Sequence, residues 1–191
     1  MTVSKTSTLT THQTHGAFFW GDGAGACVVT RGLSAAETGR FQYDAYAEAN
    51  SSESVDAMYV PLGDDVAMEQ EARIRIRFPD ERAKRRYIRN ERSQFGEVMS
   101  ELEHPQLVAV CLPSTGQDRL PGLLGNQPEL KAKVVTDWSW PHTGAVDVLL
   151  QAAHLSESQR LGADDRVALL SPAFTAQWGG VRLRWQQGDA N

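Results

Sequence analysis

The sequence predicts an α/β fold in which helices layer onto a sheet, and three observations carry that expectation. The second half of the chain alternates short apolar runs with longer helical patterns. Residues 73–78 place arginine at every odd position and an apolar side chain at every even one, the period of a strand with one wet face. Beyond Pro79 an apolar stripe recurs at helical spacing as far as Leu102. The 191 residues suffice for one domain or two small ones. With 41% apolar and 23% charged residues, the chain is too hydrophobic for general disorder and too polar for a membrane protein. No run approaches the roughly 20 apolar residues of a spanning helix.

Taken in order, residues 1–14 are a polar lead-in rich in Ser and Thr. They lack the apolar centre of a secretory signal and any hydrophobic periodicity, so fraying is expected. Gly16 to Trp20 and Ala26 to Thr30 read as apolar strands on either side of a compact turn, Gly21-Asp22-Gly23-Ala24-Gly25. Phe41 to Ala49 alternates as a half-buried strand does, Asn50 to Asp56 is a polar loop, and Met58 to Leu62 is a short extended piece. The arginine-alternating strand ends at Phe78. Pro79 then suits the first turn of a helix whose dipole Asp80 and Glu81 complement. Ala83, Tyr87, Phe95, Val98, Met99 and Leu102 form its apolar stripe. Gln106 to Leu112 reads as a buried strand, Pro113 to Asp118 as a loop and Lys131 to Thr136 as a strand. A helix follows over Thr143 to Leu155 (Ala145, Val148, Leu149, Ala152). Arg166 to Leu170 and Val181 to Trp185 are the closing strands, and residues 186–191 are a polar tail. The domain proper is expected over residues 15–185.

Nineteen basic residues against 24 acidic ones give a net charge of −5, which disfavours nucleic acid as a partner. Two cysteines, Cys27 and Cys111, make no disulfide framework, and a reducing cytoplasm is the expected compartment. Both sit in apolar runs and are expected to be buried and inert. His12 and His15 have metal-like spacing but no further ligand cluster nearby, so no metal is expected, and no cofactor. The glycine cluster at 21–25 lacks the Lys-Ser/Thr of a phosphate-binding loop and the spacing of a dinucleotide fingerprint. Nine of the 19 basic residues lie between Arg73 and Arg92. Arg82, Arg85 and Arg89 fall three and four apart on one helix face. That face is either a docking surface for an acidic partner or a solvated one with pairs such as Glu81–Arg85.

Three collinear segments resemble one family. Phe19-Trp20-Gly21-Asp22-Gly23-Ala24-Gly25-Ala26 is similar to the FGDGAGA signature of 3-oxoacyl-(acyl carrier protein) synthase III and its thiolase-fold condensing relatives. Trp140-Pro141-His142-Thr143-Gly144-Ala145 falls where that family has a Gly-Asn-Thr-Ser-Ala helix start. Gly162 to Trp185, with Trp178-Gly179 and Arg184-Trp185, resembles the family's closing segment. The resemblance runs from about residue 4 onward and corresponds to the second half of a family member. It implies a thiolase-like layered fold, the second half of an αβαβα arrangement. It also implies acyl transfer in fatty-acid or polyketide-type biosynthesis, with acyl-CoA or acyl carrier protein as partner and Gly21, Asp22, Gly23 and Gly25 beside the acyl tunnel.

Residue by residue, the resemblance implies a changed site. The family's nucleophilic cysteine lies in the half that has no counterpart here, and neither Cys27 nor Cys111 fits it. The family's histidine after Val-Pro corresponds to Ser114 after Leu112-Pro113, and its asparagine to His142. Its glycine-rich oxyanion loop corresponds to Ser171-Pro172-Ala173-Phe174-Thr175-Ala176-Gln177. Fewer glycines there keep backbone farther from a ligand, and Pro172 removes a donor. Ser114 and His142 are the expected catalytic pair, either as two donors to an enolate oxygen or as a nucleophile and its base. Phe174 marks the altered oxyanion loop, and Arg82, Arg85 and Arg89 are expected to dock the carrier. A half-fold exposes apolar surface, so a homodimer or a heterodimer with a ketosynthase-like chain is expected. The chain alone should not condense acyl groups. Two other expectations stand beside this one: a non-catalytic module that binds acyl carrier protein, or a fragment, since Met1-Thr2-Val3-Ser4 begins where the family has a mid-protein strand end.

Overall fold

The computed structural model describes residues 2–5, 22–29, 40–54, 56, 78–113, 120–135, 143–158, 160–173 and 176–187. Its centre is a four-stranded sheet built from β3 (Arg40–Ala49), β4 (Leu107–Cys111), β5 (Arg166–Pro172) and β6 (Trp178–Gln186), in the order β3-β6-β5-β4. β4 and β5 are parallel, while β6 runs antiparallel to both its neighbours. The C-terminal ends of β3, β4 and β5 therefore share one edge of the sheet. Beyond β4, Val134 makes a single parallel bridge to Val110.

Alternation along the strands sends side chains into two separate cores. On one face Ala168, Leu170, Val110 and Leu112 pack with α1 (Glu81–Leu102) through Phe95, Val98, Met99 and Leu102, and Phe95 meets Trp178 edge to face at 5.1 Å. On the other, Val167, Leu169, Ala109 and Cys111 pack with α4 (Asp147–Glu157) through Val148, Ala152 and Leu155. The architecture is helix, sheet, helix, the layered α/β fold expected. The helix α1 stripe is buried at all six expected positions. Arg182 fastens its C-terminus to the sheet, its Nη1 donating to the carbonyls of Leu102 and Glu103 while Nε donates to Asp44. Asp44 is the extra residue of a bulge in β3 and also lies 3.5 Å from Arg166. The two guanidiniums, Arg182 foremost, hold its carboxyl below the ordinary carboxylate range.

Several expectations are corrected. Asp22–Gly25 is not a turn but a strand, β2, paired antiparallel with β1 (Thr2–Lys5), so part of the polar lead-in is ordered. Glycine and a short polar run hide a strand from hydrophobic periodicity, yet a ladder needs only backbone groups. Ala26 to Val29 is not a strand, and Val28 and Val29 are 91% and 89% exposed. Cys27 is exposed with them. Asp80, not Pro79, begins α1: its carboxylate accepts from the Ala83 N–H at 2.7 Å as an N-cap. Lys131 to Lys133 is helical, in α3 (Pro128–Lys133), and among the described residues of that segment Val134 alone bridges to the sheet, while Thr136 lies outside them. The short helix α2 (Leu120–Leu124) adds an element that no periodicity announces. Gly16 to Gly21, Met58 to Leu62 and Arg73 to Arg77 lie outside the described residues, and Phe78 is in no strand.

Candidate functional site

The sheet edge that gathers the ends of β3, β4 and β5 also receives the start of α4. β4 ends at Cys111, after which buried Leu112 and Pro113 lead to Ser114. The Leu112 carbonyl accepts a 2.6 Å hydrogen bond from Nε2 of Gln151, a residue of α4 only 1% exposed. One helical turn earlier, fully buried Asp147 uses Oδ1 to accept from both the N–H (2.6 Å) and the hydroxyl (2.5 Å) of Thr143. Thr143 directly follows His142. Residues 147 and 151 are four apart and share a helix face. One side of α4 thus grips both chain segments to which the expected catalytic residues are attached. Ser114, His142 and Phe174 themselves lie outside the described residues, as does Gly21.

The glycine-rich segment reaches the same place. β1 and β2 pack against the 3₁₀ turn Gly144–Val146 that precedes α4. A methyl group built on Gly25 would stand 3.2 Å from Val146 Cγ1 and 3.6 Å from Leu149 Cδ1, so the strand lies against this turn closely enough that any side chain at Gly25 would press on Val146. Two of the three motifs are therefore adjacent in space. The third supplies the loop between β5 and β6, closed by a 2.8 Å bond from the Ala173 N–H to the Gln177 carbonyl, with Ala176 at φ 59°. An open cleft of about 270 Å³ lies at this edge, lined by Glu48, Asn50, Ser171, Gln177 and Trp178 among others.

The cysteines can be placed. Cys111 is wholly buried, and desolvation pushes its thiol up to about 12, so it carries no thiolate near neutrality. Cys27 is exposed and not, as expected, packed. Among the described residues no three His, Cys, Asp or Glu side chains cluster to hold a metal. Arg82, Arg85 and Arg89 are exposed on α1, as their spacing implied. Arg89 Nη2 lies 3.9 Å from Glu53, and Glu81 pairs with Lys84 rather than Arg85. Such exposed pairs contribute little and leave the face net positive.

Asp147 and Gln151 escape a reading of the sequence that counts apolar positions. Their signal is two polar residues four apart on a stripe otherwise formed by Val148, Ala152 and Leu155.

No protein-family model matches the sequence, and no curated protein matches it significantly. Solved structures do match. The 3-oxoacyl-(acyl carrier protein) synthase III, FabH, of Pseudomonas aeruginosa aligns over 84% of this chain and 49% of its own, at 16% identity and a TM-score of 0.54. The corresponding enzyme of Xanthomonas oryzae pv. oryzae aligns over 77% and 41%, at 18% identity and 0.55. A single-residue variant of OleA from Xanthomonas campestris aligns over 76% and 40%, at 17% identity and 0.50. The chain thus has a thiolase-like fold and spans about half the length of the solved structures it matches. Among the described residues no helix is long and apolar enough to cross a membrane.

Proposed function

We propose that this chain is a ketosynthase III-like component that stabilises the enolate of a malonyl-type thioester and relies on a second chain for the nucleophile. The observation that carries this reading is the double grip of α4, through Gln151 on Leu112 and through Asp147 on Thr143. It holds Leu112, two residues before Ser114, and Thr143, one residue after His142, to one face of the same helix.

Decarboxylation breaks the bond between the carboxylate and the α-carbon. Carbon dioxide leaves, and the electron pair moves through the α-carbon to the thioester oxygen. Two hydrogen-bond donors aimed at that oxygen lower the barrier, and Ser114 and His142 are those donors. Removing one such donor typically costs about 10²–10³ in rate. With a partner's acyl-cysteine in place, the enolate carbon attacks the acyl carbonyl, and cysteine leaves as thiolate. Without it, the carbon takes a proton from solvent and the product is the acetyl-type thioester. The substrate arrives on acyl-CoA or acyl carrier protein, and the acidic carrier docks on Arg82, Arg85 and Arg89. The partner is a second copy or a ketosynthase-like chain seated against the apolar surface the half-fold leaves uncovered, where Tyr43 and Tyr46 are 65% and 54% exposed.

The test is conversion of malonyl-CoA to acetyl-CoA by the purified chain, its Ser114→Ala and its His142→Ala variants. Each substitution should slow the parent's rate about 10²-fold. A parent that does not decarboxylate, or variants that match it, would end the proposal. The exposed basic face favours one further function, a non-catalytic module that binds carrier protein. Carrier binding without decarboxylation is its signature.

A further inference from the structure

We infer that Gln151 is a positioning residue, which from one turn of α4 sets the end of β4 that leads into Ser114 against the helix start that follows His142. Its purpose rests on the enolate-stabilising function proposed above, whereas its grip on the two segments can be measured without any activity.

Three features set Gln151 apart from a packing residue. Its helix neighbours on the buried face other than Asp147 are apolar, and Val148, Ala152 and Leu155 share a core with Ala109, Cys111, Val167 and Leu169. A leucine or methionine would fill the same space without a polar group to satisfy. Gln151 instead buries an amide, and while Nε2 donates to the Leu112 carbonyl, the buried Oε1 has no hydrogen-bond partner among the described residues. An unsatisfied buried acceptor opposes folding, so a glutamine at this position carries a cost to stability. Proteins break such local rules chiefly where a site demands it. Finally, the grip is paired. Asp147 holds Thr143 from the same face, four residues earlier.

Gln151→Met keeps length and volume while deleting the bond to Leu112. Amide hydrogen exchange followed by mass spectrometry is the first measurement. Residues 107–112 and 143–147 should exchange about two- to tenfold faster than in the parent, the equivalent of one net hydrogen bond, while α1 and β6 keep their protection. If Gln151→Met fails to fold, Gln151→Leu, which deletes the same bond to the Leu112 carbonyl, takes its place with the same expectation for both segments. The second measurement is malonyl-CoA decarboxylation. Gln151→Met should lower kcat severalfold with KM little changed, and should have no further effect once Ser114 is alanine, since a residue acting through another does not add to its loss. Unchanged exchange at both segments overturns the inference, as does an activity loss equally large with and without Ser114. A parent that shows no decarboxylation overturns the proposed function instead, and the exchange result then decides the positioning role alone.

Discussion

Gly179 and Gly180 are neighbours in β6 that face opposite sides of the sheet, and a methyl group added to each tests the layering directly. At Gly180 the new Cβ would stand 2.9 Å from Leu102 Cδ1, 3.0 Å from Leu170 Cγ and 3.1 Å from the Leu169 carbonyl oxygen. All three lie well inside ordinary van der Waals contact. One of them is backbone of the adjoining strand, and Leu102 and Leu170 are themselves fully buried, so nothing can swing away. Overpacking of this kind costs about 1–3 kcal/mol. For a chain of this size each kcal/mol lowers Tm by about 2–4 °C. At Gly179 no atom lies within 4 Å of the added methyl, and the same substitution removes only chain entropy from the unfolded state. Gly179→Ala should therefore match the parent or exceed it by up to about 1 kcal/mol. The assay is urea unfolding followed by far-ultraviolet circular dichroism, with the midpoint read at unchanged slope. Trimming the offending side chain should restore part of the loss, so Gly180→Ala with Leu102→Ala should cost less than the sum of the two singles. Equal midpoints for Gly179→Ala and Gly180→Ala would mean that α1 does not lie over β6.

Four other outcomes follow from the geometry. Under native conditions a thiol reagent should modify exposed Cys27 alone, and Cys111, buried with its thiol raised to about 12, should react only after denaturation; two native equivalents would contradict this. The Asp44 carboxyl is depressed in the folded chain, so its contribution is present at neutral pH and disappears as pH falls through and below the ordinary carboxylate value of 3.8. Asp44→Asn should flatten the acid limb of stability against pH, and an unchanged limb would show that Arg182 and Arg166 do not grip it. Asp80→Ala should lower stability by about 1 kcal/mol through loss of the α1 cap, measured by urea unfolding, and no loss would remove the cap. Arg85→Glu with Arg89→Glu should slow association of acyl carrier protein and flatten its salt dependence in stopped flow, while binding indifferent to both would leave α1 a solvated face.

How much of this is legible in the sequence depends on which signal each element sends. The α1 stripe and strands β3 to β6 declare themselves because their apolar residues recur at 3.6 or 2 and each element buries one face. Strand β2 is nearly all glycine and polar residues, and it offers no periodicity to read. Helix α3 reads as a strand because Val134-Val135 dominates the window. The better evidence is Pro128 and Glu129 at the first turn and Lys131 and Lys133 at the last, the polarity a helix dipole favours. Cys27 reads as buried because it stands between Ala26 and Val28, yet apolar neighbours in sequence say nothing about what covers them. At the site, His142 and Ser114 stand in or beside motifs, whereas Asp147 and Gln151 read as ordinary polar residues of a helix. Only the fold shows that their face points inward.

The central proposal is that this chain makes an enolate and that the acyl-cysteine which the enolate attacks is supplied by a second chain. Incubating the purified chain with acetyl-CoA and malonyl-acyl carrier protein, and weighing the carrier by mass spectrometry, follows both fates at once. The account predicts loss of carbon dioxide to give acetyl-carrier, slowed about 10²-fold by Ser114→Ala or His142→Ala, with no 3-oxoacyl-carrier formed. Appearance of the 3-oxoacyl product, abolished by Cys27→Ala or Cys111→Ala, or persistence of the malonyl-carrier untouched, would contradict it.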